Sequence, residues 1–364
     1  MTTHLRTLAA ARLDALVRQA AQDPEVPSVM AMVVAPSIGL HWSASLGGPR
    51  AAANPPPGVQ TPFRIASVTK VFVAAAVLRL VEDGLLRLEA PVADHLSPDH
   101  AAMLAAASHD PRRITLDHLL THTSGLPDHA SAPAYAQAVL ADPRRRWSRT
   151  EQLALALELQ PGGEVPGQRF HYSDTGYVLL GEAIERATEQ PLGVAVRRLL
   201  GYDRLGLHRT WWEDDEPAPA GAGTPAPQWL GAMEATGFDA SFDRYGGGGI
   251  VSTVGDLVRF ARALFGQELF ERPGTLAAGC IVVPCAREGV ARLHSRLAAI
   301  MPMGPAQAWE HLGFWGCGVA HCPSLDLTVA ATVNQALPAE VAWRAELVPR
   351  LGAAAASAML EGGP

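Results

Sequence analysis

The run from Ser67 to Val81 limits the fold of this chain more than any other stretch. Val71, Phe72, Val73, Ala74, Ala75, Ala76, Val77, Leu78, Leu80 and Val81 leave almost no polar face, so a helix here must be enclosed by protein on all sides. Gly84 supplies a stop just past its last turn. The stretch Phe63-Arg64-Ile65-Ala66-Ser67-Val68-Thr69-Lys70 leads into the rod. It sets a serine hydroxyl and a lysine amine three residues apart, which makes them neighbours on a helix. Ser67 is thus presented at the N-terminal end of a rigid internal element, a good place to keep a nucleophile.

Composition narrows the partners. Hydrophobic residues make up 48% of the 364 and charged residues 18%, with a net charge of -7, so there is no basic field to draw nucleic acid. No stretch reaches the roughly 18 consecutive apolar residues of a membrane span, and no membrane partner is expected. Met1 to Asp23 reads as an amphipathic helix, with Leu5, Leu8, Leu13, Leu16 and Val17 on one side. It lacks the continuous apolar core of a signal peptide, and the expected location is the cytoplasm. Cys280 and Cys285, and Cys317 and Cys322, form two pairs with four residues between partners, a pattern that raises zinc. Gly279 to Val283 and Trp315 to His321 read as strands, however, where residues five apart point to opposite faces. Buried reduced thiols are the expectation, with no metal and no cofactor.

Along the chain, Ser28 to Pro36 and Leu40 to Leu46 read as a strand pair, and Gly47 to Pro62 as a loop. From Gly84 to about Leu200 the pattern is mainly helical, with turns at Ser97-Pro98-Asp99, Asp110-Pro111, Pro127-Asp128 and Gln160-Pro161-Gly162-Gly163. Thr115 to Gly125 reads as a capped helix. Within it, His118 and His122 have a spacing that can hold a metal, but no third ligand is evident and polar packing is the expectation. Glu213 to Gln228 reads as an exposed loop. Gly246-Gly247-Gly248-Gly249 precedes a helix from Val254; without the lysine of a phosphate loop, close backbone packing near a site explains the glycines better. Gly279 to Val283, Ala306 to Gly316, Gly318 to Cys322 and Leu327 to Asn334 read as strands, and a helix from about Ala339 to Leu360 closes the chain. The fold class is therefore α+β: an antiparallel sheet flanked by N- and C-terminal helices, with an inserted mainly helical domain. Residues 1–75 and 240–364 would form the sheet domain and 76–239 the helical one, with the active site between them.

Three stations carry the chemistry: Ser67 with Lys70, Tyr172-Ser173-Asp174, and His311-Leu312-Gly313. With the flanking runs Leu119 to Pro127, Phe170 to Tyr177 and Gly248 to Thr253, the chain resembles, over roughly Pro27 to Gln335, the penicillin-recognising serine hydrolases. The likeness is greatest to the class C β-lactamase branch with its related esterases, D-peptidases and acyltransferases. The resemblance implies a β-lactamase/DD-peptidase-like fold and a Ser67 acyl-enzyme, with Tyr172 beside Lys70. It also implies an oxyanion hole from the N–H groups of Ser67 and Phe314, and substrate contacts from Asp174, His311, Gly313 and Phe314.

Serine needs an adjacent base. For Lys70 to serve at pH 7 its pKa must fall from about 10.4, and a shift of three to four units costs roughly 4 to 5 kcal/mol; burial and the helix N-terminus both push that way. Tyr172 starts near pKa 10 and faces a similar shift, so the two read as a coupled pair sharing a proton. Asp174 stands where the motif most familiarly has asparagine. Ionised, it only accepts hydrogen bonds and would hold Lys70 as an ammonium, which moves weight toward Tyr172; it could equally cap the helix that follows. His311 replaces the lysine of Lys-Thr-Gly and is largely neutral at pH 7; Leu312 lacks the hydroxyl of that motif. Both weaken the case for a penicillinase. Phe314, Trp315 and Trp309 could form an apolar wall, with core packing an equal alternative for the two tryptophans. The expected function is hydrolysis of a small ester or amide. The alternatives are transfer of the acyl group to an amine or alcohol, and a binding or sensory protein that has lost turnover.

Overall fold

The computed structural model describes residues 2–50, 57–159, 164–287, 290–337 and 341–361. The turn expected at Gln160 to Gly163, part of the loop before Pro62 (51–56) and the first residues of the closing helix (339 and 340) lie outside them. Thirteen strands follow one another among the described residues: β1 Ser28–Ala35, β2 Leu40–Gly47, β3 Phe63–Arg64, β4 Trp211–Trp212, β5 Trp229–Leu230, β6 Met233–Glu234, β7 Ile250–Ser252, β8 Val282–Arg287, β9 Val290–Ser295, β10 Ala299–Met303, β11 Ala306–Gly313, β12 Cys317–Cys322 and β13 Leu327–Thr332. Eight of them build one sheet in the order β2-β1-β13-β12-β11-β10-β9-β8, every pairing antiparallel. The first and last segments of the chain thus share a sheet, as the strand pattern predicted.

Side-chain alternation divides that sheet between two cores. Val29, Ala31 and Val33 of β1 face helix α1 (Thr2–Ala21) and the closing helix Trp343–Leu360. Met30, Met32 and Val34 face the opposite side, where helix α2 (Thr69–Glu82) runs. All eight residues of β1 are buried, which is why the strand reads as a continuous apolar run. Cys317 and Cys322 fall in the two different cores; with Cys280, they are free thiols.

Every residue of α2 from Thr69 to Leu78 is buried. Phe72 stacks on Phe260 of the Val254–Phe265 helix with centroids 3.6 Å apart, and truncating such a ring costs about 3–5 kcal/mol. The far end is tied down by Glu82, whose carboxylate accepts from the Glu271 amide (3.0 Å), the Arg272 amide (2.5 Å) and the Thr275 hydroxyl (2.7 Å). Gly84, at φ 75°, ends the rod where the sequence predicted. The expected helical stretch is present as Pro98–Ala106, Leu116–Leu120, Pro133–Ala141, Arg149–Leu159, Asp174–Thr188 and Leu192–Leu200.

Three expectations are corrected. Residues up to Gly279 are helical (Pro273–Gly279) and the strand begins at Val282; Pro273 starts that helix and Leu276-Ala277-Ala278 sustain it. The sheet also gains β9 and β10. Pro302 masks β10 in the sequence, since proline argues against a strand, and it sits where β10 pairs with β11 alone. The helix expected to reach Gly125 stops at Leu120, because His122 adopts φ 56°, in the left-handed region.

Candidate active site

Ser67 lies in a 3-10 turn, Ala66–Val68, immediately before α2. Ala66 is held at φ 44°, a conformation that a residue with a Cβ adopts only under constraint. The constraint comes from both sides. The Ile65 amide donates to the Ile250 carbonyl at 3.0 Å, and the Cys317 thiol donates to the Ile65 carbonyl at 3.3 Å. Gly313, at the end of β11, packs so closely that a Cβ there would lie 2.4 Å from the Ile65 oxygen, so only glycine lets the strand end reach the serine turn.

Lys70 is 0% exposed, and each of its three ammonium protons has an acceptor. It donates to Ser67 Oγ at 3.0 Å, to the Gly247 carbonyl at 2.7 Å and to Asp174 Oδ1. Gly247 earns its place by proximity: a Cβ would stand 2.6 Å from Asp174 Oδ1. Two opposing pushes on the lysine pKa meet here, and the one expected from Asp174 prevails. Burial does press it down, but the Asp174 carboxylate, helped by Tyr172 and Asp243, outweighs burial and raises it above the ordinary lysine value. This balance favours the ammonium form of Lys70.

Of the two roles open to Asp174, the structure takes the ion pair. The Asp174–Thr188 helix is capped instead by Ser173, whose hydroxyl accepts from the Gly176 amide at 3.2 Å. Tyr172 carries Lys70 Nζ 5.1 Å from its ring centre and stacks on His122 at 4.4 Å. Burial pushes its phenol up to about 12, while the Lys70 charge pulls the other way. His122 also accepts the Ser173 amide on Nδ1 at 3.1 Å, so it fixes the Tyr172 segment from two sides; burial holds it neutral, well below the usual histidine pKa. His118 closes the cap of its short helix with Thr115.

His311 is placed differently from its neighbours. It is buried in β11, with Nδ1 3.0 Å from the Leu312 carbonyl, and burial, followed by the Lys70 charge, pushes its pKa down to about 3. It does not line the cavity beside Ser67. That cavity, of about 460 Å³, is lined by Ser67, Tyr172, Asp174, Phe314 and Trp315, together with residues from 128–140 and 230–243. Trp309 lies apart, stacked on Phe265 at 5.9 Å.

Sequence reasoning missed two carboxyl groups on this wall, Asp128 and Asp243. Asp128 Oδ1 accepts the amides of Asp174 (3.0 Å) and Ala130 (3.2 Å). Burial, then the Asp174 charge, raises Asp128 to about 6 and Asp243 to about 7. It also missed Arg64, which pairs with Glu213 at 2.7 Å and donates to the carbonyls of Ala235 (3.2 Å) and Phe238 (2.8 Å). Glu213, in the stretch read as an exposed loop, thus supplies a tie for the cavity wall. None of these long-range contacts leaves a periodic or spacing signal.

Among the described residues, no helix is long and apolar enough to cross a membrane, and no group of three or more potential ligand side chains could hold a metal.

Esterase EstB of Burkholderia gladioli is 33% identical over 293 residues, covering 74% of this chain and 73% of the esterase. Acyltransferase mokF of Monascus pilosus is 36% identical over 129 residues, 31% of each chain. The D-amino acid amidase of Ochrobactrum anthropi SV3, solved with L-phenylalanine, superposes with a TM-score of 0.77 at 22% identity, over 96% of this chain and 98% of the amidase. That likeness establishes the α+β fold of the β-lactamase/DD-peptidase type. The Beta-lactamase family matches residues 13–351, and the chain belongs to that family.

Proposed function

We propose that the protein cleaves small esters or amides through an acyl-enzyme on Ser67. The observation that carries this reading is the commitment of all three Lys70 protons, one of them to Ser67 Oγ. A lysine fixed in this way positions and polarises the serine but has no lone pair to offer, so the base role goes to Tyr172. Its phenolate, a minor form at pH 7, is stabilised by the adjacent ammonium. In this scheme Ser67 Oγ bonds to the substrate carbonyl carbon as its proton passes to the Tyr172 oxygen. Collapse of the adduct expels the alcohol or amine, which takes that proton. Water then repeats the sequence in reverse and frees Ser67. The N–H groups of Ser67 and Phe314 are proposed as the oxyanion hole. No described hydrogen bond occupies either, and the fit of Gly313 against Ile65 supports their nearness. Asp174 and Phe314, in the cavity lining, would border the substrate, with Gly313 and His311 on the adjoining strand β11.

The proposed two-domain division, 1–75 with 240–364 against 76–239, draws support from the cavity. Ser67, Asp243 and Phe314 come from one part, and Asp128, Tyr172 and Asp174 from the other. The free thiols of Cys280, Cys317 and Cys322 support a reducing, cytoplasmic place of action. Acyl transfer is the second reading, favoured by the apolar wall, which can shelter an acyl group from water. Intact-mass measurement with a panel of p-nitrophenyl esters tests both. A Ser67-dependent adduct that clears in water supports hydrolysis, and one that clears only with added amine or alcohol supports transfer. No adduct across the panel, or an undiminished adduct in Ser67→Ala, overturns the reading.

A further inference from the structure

Resting on the acyl-enzyme reading, we propose that the cavity beside Ser67 selects substrates whose apolar body carries a positive charge, which Asp243 and Asp128 face, and turns away those bearing a carboxylate. The cavity wall is apolar over most of its extent, with Tyr135, Phe238, Phe242, Phe314 and Trp315 contributing rings. Ring faces attract cations. Its charged members among the described residues are Asp128, Asp174 and Asp243, with neither lysine nor arginine in the lining. Lys70 neutralises Asp174, which leaves two carboxyl groups without a counter-charge in contact.

Each of the two is held where it stands. Asp128 is 8% exposed, and both amides that bind it use Oδ1; no described hydrogen bond reaches Oδ2. The Asp243 carboxyl makes no described hydrogen bond or ion pair, and it presses on the glycine run so closely that a Cβ on Gly248 would lie 2.0 Å from its Oδ2. The charges acting on Asp243 come from Asp174, Lys70, Arg64 and Glu213. Burial and Asp174 leave it partly protonated near neutrality, a state that an arriving cation would reverse by favouring the ionised form. A carboxylate in the same place would meet like charges with no lysine or arginine in the described lining to anchor it. The familiar lysine is absent from the third motif, and the histidine that replaces it is neutral and turned to Leu312.

The test uses p-nitrophenyl pentanoates that differ only at the far end of the chain: trimethylammonio, its neutral isostere tert-butyl, and carboxylate. The expected order of kcat/KM is cationic above neutral by about tenfold or more, with the carboxylate lowest, and the spread narrows as salt rises. In Asp243→Asn the cationic-to-neutral ratio falls toward one, and a ratio cancels any general loss of activity. Should that variant fail to fold, competitive inhibition of the unaltered protein replaces it: benzyltrimethylammonium is expected to inhibit at concentrations where phenylacetate does not. Equal rates for the cationic and neutral esters, or equal inhibition by the two ions, overturn this inference. If the neutral ester gives no Ser67-dependent acylation, it is the acyl-enzyme reading that fails.

Discussion

The two sides of the cavity are built on different physical grounds. On the side of Ser67, the serine lies in the turn that leads into a helix buried from Thr69 to Leu78, and Lys70 is held by three acceptors. Replacing any one acceptor leaves a buried charge short of a partner, a change that costs far more than the bond itself contributes. The opposite side is a wall of apolar side chains from 130–140 and 230–242, tied by a few side chains to backbone. Gln152 donates to the carbonyls of Ser241 (3.2 Å) and Phe242 (2.9 Å), and Arg64 spans from the nucleophile turn to Ala235 and Phe238. Packing of that kind accepts changes of shape at modest cost. One side can therefore keep a reaction constant while the other changes its substrate.

The largest effect is expected on the nucleophile side. Tyr172→Phe should lower kcat by about 10²–10⁴, the usual contribution of a general base. It should also abolish the rise of kcat/KM with pH expected above pH 7, since the phenol ionises toward about 12. A Tyr172→Phe enzyme with unaltered kcat would remove the base assignment.

A second prediction sets the two sides against each other through proton linkage. His129 and His321 are pushed down to about 4 and His311 to about 3, burial being the first cause in each, and His122 lies well below the normal value. All four are buried. The unfolded chain takes up these protons near 6.5 and the folded one does not, so stability is lost as pH falls from about 6.5 toward 4. Asp243 and Asp128, at about 7 and 6, act in the opposite sense: the folded state binds their protons first, which adds stability on acidification. The histidines outnumber the two carboxyl groups, so a net loss of stability is expected between pH 7 and pH 5, read as a lower urea midpoint. Asp243→Asn should steepen it. Constant stability over that range would contradict the neutral buried histidines.

The smallest effect belongs to the apolar wall. Phe238→Ala should lower the hexanoyl-to-acetyl ratio of kcat/KM about tenfold, because the longer chain loses apolar contact. An unchanged ratio would place the acyl group elsewhere.

The same contrast explains what could be read from the sequence. The apolar runs of α2 and β1 and the Ser67 and Lys70 spacing are local patterns, and they survive in the structure. The role of Asp174 follows from its short reach to Lys70 across 104 positions, which the motif suggested without deciding. Asp128, Asp243 and the Arg64 tie escaped because their meaning lies in contacts between distant loops. For Lys70 the sequence offered opposing pushes, burial and helix position against the Asp174 carboxylate, and their balance depends on a contact between distant segments. His311 was read through its motif, and the sequence could not show that its Nδ1 lies 3.0 Å from the Leu312 carbonyl.

The central claim is that acylation occurs on the serine held by Lys70. Quenching the reaction with an activated ester and digesting with trypsin isolates the peptide from Ile65 to Lys70, which contains Ser67 and Thr69 as its only hydroxyl residues. Fragment-ion spectra are expected to place the acyl group on Ser67, at a level that rises and decays with turnover. An acyl group on Thr69, on another peptide, or on none during active turnover would contradict the account.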